Sequence, residues 1–119
     1  MSSYKGLIVW QKAFELTKLI YLVTRTFPKE ETYGLISQLR RASVAIVSNI
    51  AEGYTRRGKK EFTQFLYISY GSGAELETQL LLAKELGFIR EEDFSKVEKL
   101  LTEVMKILNT LLHKLTTNA

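Results

Sequence analysis

Apolar residues recur three and four positions apart through most of the chain, and almost nothing alternates as a strand would. In a first segment, about 7–26, Ile8, Val9, Ala13, Leu16, Leu19, Ile20 and Val23 share one helix face. Phe27-Pro28 closes it, because the residue before a proline is pushed out of the helical region. The second predicted helix, 33–52, takes Thr32 as its N-cap, has Glu30 and Glu31 near its positive end, and is expected to stop at Gly53. The third, 59–86, carries Phe62, Phe65, Leu66, Ser69, Gly73, Leu76, Leu80 and Ala83 along one side and ends at Gly87. In the fourth, 91–115, Phe94, Val97, Leu101, Val104, Leu108, Leu111 and Leu115 follow a heptad-like spacing behind an acidic first turn. Connections of roughly four to six residues force consecutive helices antiparallel. The pattern therefore predicts an all-α fold, an antiparallel up-and-down four-helix bundle, as a single domain over 1–119.

The second helix carries more apolar surface than a simple bundle buries. Leu39, Ser43, Ile46 and Ile50 make one stripe, Val44, Val47 and Ala51 a second, and Gln38, Ala42, Ala45, Asn49 and Glu52 a third. From 42 to 51 no face carries a charge. Two readings stay open on the residues: an interface between subunits, or a core helix with Ser43 and Ser48 on a thin wet strip.

Composition narrows the class. With 45% hydrophobic and 25% charged residues, 119 residues are enough for one domain that buries roughly two thirds of its unfolded surface. The absence of cysteine excludes disulfides, thiolate catalysis and Cys-based zinc sites, and fits a reducing compartment. The apolar run 7–10 is too short for a signal peptide, and no run approaches the roughly 18 residues of a membrane span. The expectation is a cytoplasmic protein without membrane association.

Charge then singles out one stretch. The net charge is +4, yet residues 40–60 hold six basic residues against one acidic, leaving 11 basic and 12 acidic elsewhere. Arg56, Arg57, Lys59 and Lys60 crowd a loop that leads into the third helix, whose first N–H groups have no intrahelical acceptors. Lysine there opposes the helix dipole, and a bound phosphate relieves both conflicts. Arginine adds forked, charge-assisted bonds. The bland alternative is a solvated basic loop, with Glu61 folding back as a cap. Tyr54 and Tyr67 are the aromatics expected to be exposed, available for stacking on bases.

Asn49 and Glu52, three apart on the second helix, are expected to be enclosed and to fix register by bonding to Gln79, Ser72 or a neighbouring subunit. No catalytic residue, metal site or cofactor is predicted. Glu75 and Glu77 fall on different helix faces, and His113 has Thr110 rather than Glu three positions before it, unlike the Glu-x-x-His of carboxylate-metal bundles. P-loop, GxGxxG, Ser-His-Asp and HExxH patterns are absent from the sequence.

Several blocks carry a family resemblance: Leu-Ile-Val-Trp-Gln-Lys-Ala at 7–13, Tyr-Gly-Leu at 33–35, Gln-Leu-Arg-Arg-Ala at 38–42, Ser-Asn-Ile-Ala-Glu-Gly at 48–53, Arg-x-Lys-Lys-Glu-Phe at 57–62 and Glu-Leu-Glu-Thr-Gln at 75–79. In order and spacing they resemble the bacterial large-subunit rRNA intervening-sequence proteins, which older usage calls ribosomal proteins. That family is similar to the accessory protein of diversity-generating retroelements, a basic homopentameric barrel that binds nucleic acid and reverse transcriptase. The resemblance implies a homo-oligomer, a pentamer, with the second helix as its interface. It makes Arg40, Arg41, Arg56, Arg57, Lys59 and Lys60 the nucleic-acid-binding residues, and RNA, DNA or a reverse transcriptase the partners. The chain departs from the pattern at Gly58 and Arg90, where capping residues are usual. The resulting expectation is a non-enzymatic, nucleic-acid-binding homo-oligomer; the alternative is a protein-interaction scaffold without direct nucleic-acid binding.

Overall fold

The structure, a computed structural model, describes residues 3–117, so the outer limits of the expected domain lie outside the described residues. Among the described residues four α-helices follow one another: α1 (Ile8–Thr24), α2 (Leu35–Thr55), α3 (Lys59–Glu85) and α4 (Glu91–Thr117). Short 3-10 turns at Tyr4–Gly6 and Lys29–Glu31 precede α1 and α2, and no strand occurs among these residues. Each helix packs on two neighbours, α1 and α3 both touching α2 and α4, in a ring with no close diagonal pair. The result is an antiparallel up-and-down bundle of 46 × 21 × 21 Å. No described helix is long and apolar enough to cross a membrane.

The core follows the predicted stripes. Leu16 and Ile20 of α1, Leu39, Ile46 and Ile50 of α2, Leu66, Leu76 and Leu80 of α3, and Val97, Val104 and Leu108 of α4 are all fully enclosed. Burial of each such side chain contributes about 1.5–3 kcal/mol before entropy is counted. At the end holding the α1–α2 and α3–α4 connections, the Phe27 and Phe88 rings meet at 6.1 Å. There Gly87 closes α3: its N–H bonds to the Lys84 carbonyl and the Phe88 N–H to that of Ala83, the paired bonds of a Schellman motif.

Three expectations about helix ends need correction. Ile8, expected on the buried face of α1, is exposed, because the helix starts after an extended Leu7 and turns its first residue outward. Thr32 is not the N-cap of α2. The preceding 3-10 turn captures it, its hydroxyl donating to the Lys29 carbonyl at 2.6 Å, and the Glu31 carboxylate instead accepts the Leu35 N–H at 3.0 Å. Gly53 does not stop α2, which continues to Thr55.

Gly53 is buried against α3, where a Cβ would lie 2.6 Å from the Phe65 Cβ and 3.2 Å from Phe62 Cδ1. Glycine stands there for close approach rather than for termination. The same pair of helices is joined at depth by the Ser69 hydroxyl, which donates to the Ile46 carbonyl at 2.9 Å. In an open helix Gly53→Ala would stabilise by roughly 1 kcal/mol. Here the clash with Phe65 reverses the sign, and urea unfolding is expected to show a net loss of about 1–2 kcal/mol; equal or higher stability would contradict this packing.

Candidate nucleic-acid interface

The corner forms because α2 and α3 run back to back over a three-residue turn. Arg56 ends α2 in extended backbone, its N–H on the Gly53 carbonyl at 3.1 Å, and Gly58 begins α3 at φ +100°, a conformation side chains disfavour. That φ accounts for the departure from the usual capping residue. With glycine at the N-cap, α3 has no side-chain cap, and Glu61 does not fold back to supply one. The N–H groups of Lys59, Lys60 and Glu61 therefore present the positive end of a 27-residue helix to solvent.

The six predicted cations occupy different settings. Arg57, Lys59 and Lys60 are exposed and have no ion-pair or hydrogen-bond partner for their side chains among the described residues. Arg56 is held: its guanidinium pairs with Glu52 at 2.7 Å and lies over the Phe65 ring at 5.0 Å. Arg40 is committed to α1, donating to the Thr24 hydroxyl at 3.0 Å and the Tyr21 carbonyl at 3.4 Å while stacking on the Tyr21 ring at 4.6 Å. It satisfies one carbonyl near the negative end of α1, that of Tyr21. Arg41 is exposed, but at 1.5 Å per residue it sits about 21 Å along α2 from Thr55. The chain thus gathers Arg56, Arg57, Lys59 and Lys60 and leaves Arg40 and Arg41 apart.

Asn49 and Glu52 do not bridge to α3. The Asn49 amide donates to the Ala45 carbonyl of its own helix at 2.8 Å, and Glu52 is exposed in its pair with Arg56. An i, i+4 pair across an open helix face is easier to form than a bridge through the close α2–α3 contact. Of the two tyrosines expected to be exposed, Tyr67 is, whereas Tyr54 packs edge-on against Phe62 at 5.8 Å and is half-buried.

Antiparallel packing adds something that spacing along the chain conceals. It brings the Tyr4–Gly6 turn and the C-terminal part of α4 to the same end as the corner, Tyr4 lining a hollow with Tyr54 and Thr55, and Thr116 another with Tyr67. Cutting each helix near its midpoint, this half (3–16, 46–71 and 105–117) holds Lys5, Lys12, Arg56, Arg57, Lys59, Lys60, Lys106 and Lys114 against Glu15, Glu52 and Glu61. All the other acidic residues lie in the opposite half. A field of one sign over one end of a rod attracts polyanions and orients their approach. Among the described residues no cluster of His, Asp and Glu has the arrangement of a metal site.

Residues 5–110 match the family model described as 23S rRNA-intervening sequence protein. A crystal structure from Bacteroides thetaiotaomicron, of a protein with unknown function from the S23 ribosomal protein family, is similar with a TM-score of 0.82. It is 22% identical, the alignment covering 88% of this chain and 98% of that one. At that identity the likeness concerns the fold. No curated protein matches the chain.

The different settings of the arginines predict different costs. Arg40→Ala removes two hydrogen bonds and a ring contact and is expected to lower unfolding stability by about 1–2 kcal/mol. Arg57→Ala, with nothing to lose inside the protomer, should stay within about 0.5 kcal/mol of the parent. Equal losses in urea titrations would show that the two side chains are not differently engaged.

Proposed function

The chain belongs to the 23S rRNA-intervening sequence protein family, and from that premise we propose that it is a non-enzymatic, self-associating helical bundle that binds RNA or DNA through backbone phosphates. The observation that carries the reading is the open, uncapped N-terminus of α3, flanked by Arg57, Lys59 and Lys60 at the basic end of the bundle. Backbone N–H groups and the helix dipole favour a phosphate there, and the lysines add point charges. Arg56 contributes part of its charge, the rest being offset by Glu52. Contacts to backbone phosphates position a strand without reading its bases, so the binding is expected to show little sequence preference.

Self-association multiplies the site. The α2 surface from Val44 to Ser48 is uncharged and in part exposed, which supports its use as contact area between copies. A ring carrying one weak phosphate site per subunit gains avidity when a single strand reaches several sites.

A second reading has an observation of its own. Phe14, Tyr21, Leu22 and Val44 leave a largely apolar groove of about 550 Å³ between α1 and α2, which suits a scaffold that docks another protein. Salt dependence separates the two. Three phosphates neutralised per engaged subunit give a log–log slope of about −2.7 for duplex DNA and about −2 for single strands, steeper with more subunits engaged. Binding that is flat between low and moderate salt would rule the phosphate reading out.

Charge reversal tests the residues. The triple variant Arg57→Glu, Lys59→Glu, Lys60→Glu is expected to lose at least roughly tenfold in affinity for RNA and DNA while keeping its helix content and assembly state. Undiminished affinity in a filter-binding or anisotropy assay would leave the scaffold reading in place.

A further inference from the structure

Tyr67 and Tyr70, three apart on α3, line an open hollow of about 460 Å³ against α4, together with Asn109, His113 and the buried Leu112. Tyr70 packs in part on the core, whereas Tyr67 is 54% exposed. Neither ring pairs with another aromatic, and neither hydroxyl has a hydrogen bond among the described residues. The side chains of Asn109 and His113, four apart on α4 and exposed, are likewise unbonded there. Thr116, at the rim, differs: its hydroxyl donates to the Leu112 carbonyl of its own helix at 2.7 Å. The hollow therefore offers ring faces and polar groups that the protomer does not use.

Its place in the bundle ties it to the basic end. Seven residues, close to two full turns, separate Lys60 from Tyr67, so the two fall on one stripe of α3 about 10 Å apart, with Thr63 and Gln64 between them on that face. On the far side, Tyr70 and Asn109 also line a second hollow with Lys106, which is exposed and has no ion-pair partner among the described residues. Glu77 closes that second hollow where the acidic half begins. The α3–α4 face thus carries a cation, two tyrosines beside free hydrogen-bonding groups, and a second cation, in that order. It lies across the bundle from the α1–α2 groove.

We infer that this hollow receives an unpaired base of a single-stranded nucleic acid whose phosphates lie at the start of α3, the base stacking on Tyr67 and meeting Asn109 and His113 at its edge. A strand is favoured because cations stand on both sides of the rings, where neighbouring phosphates would fall, and the about 10 Å from Lys60 is a short step for an extended chain. Every base has a ring face, and the Asn109 amide offers both a donor and an acceptor, so the site tolerates any base. A duplex cannot use it, because its base faces are hidden in the stack. The inference rests on the phosphate-binding reading above and narrows its ligand to single strands.

The test is fluorescence anisotropy at low salt with a short oligothymidylate, an abasic strand of the same length, and a duplex of that length. The parent is expected to hold oligothymidylate more tightly than the abasic strand. Tyr67→Ala should weaken oligothymidylate binding roughly tenfold and leave the abasic strand and the duplex as in the parent, with helix content unchanged. Tyr67→Trp should keep the parent affinity or exceed it, since a larger ring stacks at least as well. Parent-like binding of oligothymidylate by Tyr67→Ala would overturn the base site, as would equal losses on all three probes or a parent chain that binds the abasic strand as tightly as oligothymidylate. Each of those results leaves the phosphate reading standing. A parent chain that binds none of the three would remove the base site and the phosphate reading together.

Discussion

The close approach of α2 and α3 is the constraint from which the other features follow. Gly53 against Phe62 and Phe65, Ser69 bonded to the Ile46 carbonyl, and Gln38 beside Gln79 mark a continuous antiparallel register along the pair. The pair is joined by the short turn at 56–58, which leaves α3 without a capping side chain and sets Arg57, Lys59 and Lys60 around its open end. The same contact leaves the outer edge of α2, from Arg41 to Ser48, partly uncovered. The open end of α3 and the uncovered stretch of α2 are therefore two consequences of one packing arrangement.

Charge is distributed to match. Ten of the thirteen acidic residues lie in the half closed by Phe27 and Phe88, whereas basic residues divide almost evenly, so the end where α3 begins is basic because it lacks acids. The cations of the 40–60 stretch are not equivalent. Arg40 spends its donors on α1 and belongs to the structure, Arg56 is half committed to Glu52 and Phe65, and Arg57, Lys59 and Lys60 have no side-chain partner within the protomer among the described residues. Divided in this way, the basic stretch is tied into the fold at Arg40 and leaves an open cationic cluster at 57–60.

The helices were legible in the sequence because apolar period and helix length agreed over four long segments. Most of the buried faces of α3 and α4 could be named in advance, but Gln79 and Leu112 are buried outside the expected sets, while Phe62, Phe65, Leu111 and Leu115 are only half-buried. What stayed hidden depended on contacts between helices. Gly53 resembles a helix stop to any local rule, and only the position of Phe65 shows that it makes room inside a helix. Asn49 and Glu52 looked enclosed because they share a face, but that face opens to solvent at the end of α2. Arg40 and Arg41 are neighbours in the chain, yet the helix turns one toward Tyr21 and the other toward Glu75. Lys5 and Lys114 are far from the basic stretch along the chain, and it is the up-and-down topology, itself legible in the apolar pattern, that brings them to the same end.

The start of α3 is proposed to receive phosphates. Amide hydrogen exchange, followed with and without a short single-stranded RNA at low salt, addresses this directly because the groups in question are backbone N–H donors. Slowed exchange is expected centred on residues 56–62, with the Phe27–Phe88 end unchanged. Protection confined to the α1–α2 groove, or an unchanged pattern at the start of α3 when RNA is bound, would contradict it.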